Sequence, residues 1–348
     1  MGPLVRVPAH PLLLARFGLP TALPATALAR VFTTPRARAL WAGVAAHGFR
    51  PLTRPFSSAI GLGVLVAGHA TGWAVAEGGS LSITRAMERV LREHGGTLHT
   101  GVRITHRRQL PPADVTLLDL DPGQVAAIYG DRLPARTRNA YRRYRRGPGA
   151  FKLDLAIEGG VPWRSPDARR AVAVHLGGPF AQVARAERDI AAGRMPERPF
   201  VLVGQQYLAD SSRSAGDTHP VWAYAHVPHG YDGDATQAVL AQLERFAPGV
   251  RERIVGLRAT PPAALAAGDA NFTGGDILTG AETVPRLLFG ARPSRDPYTT
   301  GLPGVFLCSA ATPPGPGAHG MCGAGAARSA LRHLGMPSAV LPATDTAG

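Results

Sequence analysis

The chain has 348 residues and a formal net charge of +14, from 38 basic and 24 acidic side chains. That length is enough for a large core and more than one structural unit. Its 42 glycines and 32 prolines are scattered through apolar sequence, which excludes a disordered or collagen-like chain. Only Cys308 and Cys322 occur, without CxxC spacing, so neither a disulfide framework nor a metal cluster is expected and a reducing cytoplasm is the default compartment.

Nearly all the positive charge is arginine, since Lys152 is the only lysine. A compositional preference for arginine, which the alanine, glycine and proline content supports, explains this better than an anionic partner, nucleic acid or membrane, does. The densest cluster, Arg136–Arg146 (RTRNAYRRYRR), reads as a solvated helix face. No nucleic-acid motif accompanies it, and no nucleic-acid partner is expected. The opening MGPLVRVPAHPLLLARFG makes a poor signal peptide, and Arg6 breaks the myristoylation pattern.

In chain order, residues 11–50 read as helices interrupted by prolines, with helical apolar spacing over Leu12–Phe17 and Ala37–Ala46. Pro55–Ala76 carries no charge and is long enough to span a bilayer, but His69, Thr71 and its glycines favour a buried helix pair or the lining of an apolar pocket. After the turn at Glu77-Gly78-Gly79-Ser80 comes an amphipathic helix, Ile83–His94, stopped by Gly95-Gly96. The alternation Leu98, Thr100, Val102, Ile104 predicts a strand, Val115–Leu118 a second buried strand, and Pro122–Tyr129 a helix. From residue 150 the texture becomes strand-like: Phe151–Ile157, Ala171–Leu176, Phe200–Tyr207 and Val221–Val227 suggest an antiparallel sheet, with helices at Ala181–Ala192 and Thr236–Phe246. The chain then returns to strand, loop and helix: Gly304–Cys308, a Pro/Gly loop at Thr312–Gly317, and small residues from His319 to Leu331. Such a segment gathers backbone N–H groups and a positive helix end at one point, which suits an anionic or polarised ligand.

The C-terminal residues Asp296-Pro297-Tyr298, Gly301–Cys308, Thr312-Pro313-Pro314-Gly315 and His319–Gly323 resemble the closing signature of phytoene desaturase-like FAD-dependent oxidoreductases, within the flavin amine oxidase and carotenoid desaturase superfamily. Three further stretches are similar to that family's pattern: the helix framed by Gly78-Gly79 and Gly95-Gly96, His175-Leu176-Gly177-Gly178, and Asn271–Ile277. The resemblance covers essentially the whole chain. It implies a mixed α/β (α+β) fold: a partial, doubly wound FAD/NAD(P)-binding domain and a substrate domain of antiparallel sheet and helices. The expected division places residues 1–76 in the helical part of the substrate domain, 77–122 and 286–340 in the FAD-binding domain, and 123–285 in the antiparallel-sheet part.

By the same resemblance, Gly320, Met321 and Gly323 would present backbone N–H groups to the flavin, Ile104 would lie at the adenine, and Ser309, Thr312 and Gly317 would lie near the ribityl and diphosphate portion. His319 is the candidate catalytic residue, with a structural histidine holding the loop as the alternative. Phe56, His69, Trp73, Trp222 and Asp276 are candidate substrate contacts. Core packing is the simpler reading of the aromatics and His69, and an Asx turn that of Asp276. His226 and His229 have ligand-like spacing, but no carboxylate or cysteine cluster converges on them, so no metal is expected.

The sequence departs from the family where the resemblance demands an N-terminal strand, a GxGxxG turn, a helix and a glutamate-ended strand. The nearest candidate, Gly61 and Gly63, has Val66 where the third glycine belongs. The expectation is therefore a chain lacking the first cofactor unit. It is open whether a longer gene supplies that unit, a second polypeptide does, or flavin binding has been lost. The function read from the resemblance is hydride transfer to FAD; the apolar segments 11–31 and 55–76, which lie where that family builds its cavity, suggest an isoprenoid- or lipid-like substrate, and the net charge suits peripheral contact with acidic lipid. The alternative is a non-enzymatic lipid- or protein-binding remnant.

Overall fold

A computed structural model describes residues 10–281, 283, 286 and 289–337. The N-terminal part is helical: α1 (Pro11–Ala22), α2 (Ala25–Leu28), α3 (Pro35–Ala46) and α4 (Ser57–Thr71). Thr34 caps α3 by accepting the Ala37 N–H at 3.2 Å, and Pro35 occupies the first helical position, where a missing N–H costs nothing. Trp41 to Ala46 are sealed inside, and the Trp41 indole donates to the Ala25 carbonyl at 2.9 Å. α4 crosses this helix at Gly61, where a Cβ would stand 2.9 Å from the Trp41 ring and 3.1 Å from the Ala45 Cα. The expectation of a buried helix pair or pocket lining at residues 55–76 is corrected here. The segment holds a single helix, of which only Ser57, Ser58 and Gly61 are buried.

α5 (Leu81–Glu93) has the expected amphipathic pattern, yet none of its residues is buried. Leu81, Ile83, Met87, Val90 and Leu91 all lie in solvent. The strand expected at Leu98–Ile104 does not form. Its alternation is that of a strand, but the ladder needs a neighbour, and among the described residues none runs beside it. Leu98 and Val102 are exposed, and only Ile104 tucks against the next cluster.

That next cluster surrounds two short parallel strands, β1 (Thr116–Leu118) and β7 (Val305–Leu307), paired Thr116 to Val305 through Leu118 to Leu307. Side chains alternate across the pair. Leu118 and Leu307 face α6 (Pro122–Tyr129) and α7 (Ala135–Arg142), while Phe306 meets Ala326 and Ala330 of α11 (Met321–His333). The arginine cluster is only partly a solvated face: Tyr141 is buried and Arg146 pairs with the sealed Asp121, while Arg136, Arg142 and Arg143 are exposed.

The second sheet is antiparallel, in the order β3 (Ala173–Leu176), β4 (Val201–Gly204), β5 (Thr218–Val227), β2 (Gly149–Glu158), β6 (Ile254–Thr260). Phe151, Leu153, Leu155 and Ile157 of β2 join Val221, Ala223 and Ala225 of β5 beneath α9 (Thr236–Phe246). The remaining helices are α8 (Phe180–Ala191), beside α3, and α10 (Pro262–Gly268), beside β6. The fold is thus mixed α/β, as expected; among the described residues it has one parallel and one antiparallel sheet, and the doubly wound part is represented by a single strand pair.

Replacing Gly61 by leucine is expected to drive a branched side chain into Trp41 and the α3 backbone and to destabilise the chain by about 1–3 kcal/mol. Urea unfolding of Gly61→Leu, with an exposed Gly63→Leu control, measures this.

Candidate functional site

The C-terminal candidates do come together. β7 leads into a loop whose first turn is closed by Ser309: its carbonyl accepts the Thr312 N–H at 2.9 Å and the Thr312 hydroxyl at 2.8 Å. Both side chains are buried, so they hold the loop from within. Gly320 then takes a left-handed conformation (φ 62°) and α11 begins. His319 turns back over this start, and its Nδ1 accepts the Met321 N–H at 3.1 Å. A neutral ring held this way carries its proton on Nε2. Gly317 lies against the same ring: a Cβ there would come within 2.8 Å of His319 Cδ2. Among the described residues, the N–H groups of Cys322 and Gly323 have no partner, which leaves a donor pair at the positive end of a 13-residue helix. Burial, with Asp119 and Cys322 adding to it, pushes the Cys308 thiol up to about 12, so it behaves as an inert apolar group.

A buried network ties this loop to the rest of the molecule. Arg286 donates from Nε to the Tyr144 hydroxyl at 2.8 Å, and from Nη2 to the carbonyls of Leu278 at 2.9 Å and Ala310 at 3.1 Å. Burial pushes the Tyr144 hydroxyl up to about 12, despite Arg286 beside it. Asp276 belongs to this network and not to a substrate surface. Its carboxylate accepts the N–H groups of Gly147 at 2.6 Å, Gly280 at 2.8 Å and Leu278 at 3.0 Å. Asn271 clamps the turn after β1, accepting the Asp121 N–H at 2.8 Å and donating to the Asp119 carbonyl at 3.0 Å.

The other candidate substrate contacts are dispersed. Trp222 lines an open cleft of about 660 Å³ with Tyr224, Lys152, Asp154 and Ile83. The Trp222 and Tyr224 rings stack at 5.9 Å, and Lys152 pairs with Asp154 at 2.7 Å. These four side chains share one sheet face because Lys152 stands opposite Tyr224 and Asp154 opposite Trp222. Trp222 covers Gly204, where a Cβ would come within 2.2 Å of the indole. Phe56 is half-buried at the start of α4. His69 is exposed, with Nδ1 donating to the Leu65 carbonyl of its own helix at 2.8 Å. Trp73 is 67% exposed, and neither His69 nor Trp73 lines the cleft.

Sequence reasoning missed a group of histidines between α3 and the antiparallel sheet. His47 and His175 share one hydrogen bond, Nε2 to Nε2, at 2.7 Å. His226 pairs with Glu187 at 2.8 Å, both fully buried, and Phe49 stacks on the His226 ring at 3.7 Å. His229 points elsewhere, donating to the Gly147 carbonyl at 2.9 Å. Among the described residues no group of three or more His, Cys, Asp or Glu side chains is arranged to hold a metal. Burial first, and then the neighbouring histidines, lower His47 to about 3 and His175 to about 4.

With the geometry in place, three solved structures are informative. An oxidoreductase from Methanosarcina mazei matches with a TM-score of 0.56 at 13% identity, covering 90% of this chain and 69% of that one. Wild-type putrescine oxidase bound to putrescine matches at 0.52 and 17% identity, covering 94% and 70%. A double mutant of putrescine oxidase, from a redesign of its cofactor binding, matches at 0.51 and 16% identity with the same coverage. The chain shares their fold. At these identities the likeness concerns the fold alone. No protein-family model matches the sequence, and no curated protein does.

The histidine pair has a measurable consequence. Both rings stay neutral in the fold and would take up a proton on unfolding below their ordinary value near 6.5. The unfolded chain therefore binds more protons between about pH 6.5 and 4, and stability falls as pH drops through that window, by at most about 1.4 kcal/mol per pH unit for each ring. Urea unfolding across this range is expected to show the slope, and His47→Gln to reduce it.

Proposed function

We propose that this chain is the substrate-handling and flavin-facing part of an FAD-dependent oxidoreductase acting on an apolar, isoprenoid- or lipid-like substrate. The observation that carries the reading is the start of α11, with its unpartnered N–H groups behind a glycine-rich loop, in a fold shared with oxidoreductases. Those donors fit the electron-rich pyrimidine edge of a flavin, where Gly320 and Gly323 keep the approach clear of side chains. When bound, the flavin would supply the hydride acceptor. Ser309, Thr312 and Gly317 would shape the loop, and Ile104 would line the adenine end. The His319 Nε2–H would donate a hydrogen bond at the entrance to the site. Trp222 and Tyr224 would orient a flat apolar substrate in the cleft, with the Lys152–Asp154 pair at its polar margin.

The diphosphate end of FAD has no such fit among the described residues. No glycine-rich turn links a strand to a helix there, since Gly61 and Gly63 lie inside α4. A complementing strand–helix unit, from a longer form of the chain or from a second polypeptide, is the proposed remedy, added at the outer edge of β1 and over the apolar face of α5. A parallel strand needs such a crossover helix to reach its neighbour. Both surfaces lack a partner among the described residues.

The reading is tested by adding FAD to the purified chain together with a complementing cofactor unit. Retained flavin absorbance and its anaerobic bleaching by an isoprenoid substrate are the expected outcome. Protein that stays colourless with FAD present, and with a complementing cofactor unit added, sinks the reading in favour of a non-enzymatic binding protein. His319→Ala is expected to lose its cap on Met321 and about 1 kcal/mol of stability, together with at least tenfold of the bleaching rate. His319→Asn keeps an acceptor for that N–H, so it should restore stability without restoring the rate. Because α5 buries nothing, Met87→Glu should leave stability within about 0.5 kcal/mol while preventing complementation.

A further inference from the structure

The first 76 residues contain seven arginines and not one aspartate or glutamate, since the first acidic side chain of the sequence is Glu77. Among the described residues, parts of this acid-free stretch are also openly apolar. None of α1 is buried: Leu12 is 81% exposed, Leu13 63% and Leu19 73%. α4 packs beside it and turns Val66 outward, and Trp73 just beyond α4 is 67% exposed. Arg16, Arg30, Arg36, Arg38 and Arg54 are exposed on the same stretch. The Phe56 N–H donates to the Ala22 carbonyl at 2.9 Å and ties the two helices together, and an open cleft of about 780 Å³, lined by Arg50, Arg54, Arg145 and Arg146, begins at the residues just before α4.

We propose that α1 and α4 form a docking face for an anionic lipid bilayer, lying in its surface with the leucines among the acyl chains and the arginines at the phosphates. This goes beyond the oxidoreductase reading and does not rest on it. Charge selects the occupant. A water-soluble protein partner that covered this much leucine would have to match arginines on every side, whereas an anionic lipid surface offers hydrocarbon and a continuous layer of phosphate together. The cleft just before α4 would take lipid phosphate groups, and Trp73 would sit at the boundary, where an amphipathic ring is most stable. The mode is surface attachment. α1 has 12 residues and α4 has 15, so they are about 18 and 22 Å long, short of a hydrocarbon core of about 30 Å. Among the described residues no single helix is long and apolar enough to cross, and the one pair that passes by composition, Pro11–Ala22 with Ala25–Val31, is bent by 102°.

Co-sedimentation of the whole chain with vesicles tests this. The chain is expected to bind vesicles of phosphatidylcholine mixed with phosphatidylglycerol, to bind pure phosphatidylcholine at least tenfold more weakly, and to be partly released by salt. Leu13→Glu with Phe17→Glu touches only exposed positions of α1, so its circular dichroism should match the wild type while vesicle binding is lost. Arg16→Glu with Arg54→Glu should weaken binding to the mixed vesicles by about fivefold per arginine or more. Tryptophan emission should shift to the blue on binding in the wild type and much less in Trp73→Phe. No binding to anionic vesicles, or equal binding by the double-glutamate variant, overturns the proposal. So does a wild-type dimer that ignores vesicles and dissociates in that variant, because the face then belongs to a second copy.

Discussion

The candidate site depends on the pairing of two three-residue strands. A parallel pair is stable only when both faces are covered, because its hydrogen bonds are slanted and its side chains apolar on either side. Here α6 and α7 cover one face and α11 the other. That arrangement fixes where the chain emerges from β7, and so where the loop of Ser309 and Thr312 begins. Arg286 then pins the Ala310 carbonyl to the turn around Leu278, and Asp276 holds that turn to Gly147. The helix start at Gly320 is therefore positioned by buried polar contacts reaching across the molecule.

Much of this was legible in the sequence, and the failures follow one rule. Elements whose burial is local were read well. Pro122–Tyr129 has a proline at its first position and a capping aspartate before it, and the helix occupies those residues. β2 shows its alternation plainly because one face meets α9 and the other the cleft. The failures are elements whose state turned on a neighbour that their own pattern does not reveal. Leu98–Ile104 has the pattern of a strand and no ladder to join. Pro55–Ala76 has the composition of an interior helix and lies largely on the outside. β6 was missed because Gly256 and Arg258 break its apolar pattern, and β2 alone pairs with it.

The site divides in the same way. The residues from Ser309 to Gly323 were legible because they are contiguous, and a strand, loop and helix start can be read along the chain. Asp276 was visible only as a polar residue in a glycine-rich turn. Its three backbone donors come from Gly147 as well as from its own turn, and no local pattern announces that. The histidines were hidden for a similar reason. His47, His175 and His226 are 128 and 51 positions apart in successive steps along the sequence, and only the packing of α3 on the sheet brings them together.

Lys152 gives the cleft an unusual experimental handle. Because no other residue of the sequence carries a side-chain amine, a mild acylating reagent has just this position and the α-amino group to modify. The Lys152 side chain is 38% exposed and the residue stands opposite Tyr224, so a fluorophore or cross-linker attached there would report from inside the cleft without mutagenesis. Whatever molecule enters that space would register as protection of a single, chemically addressable atom.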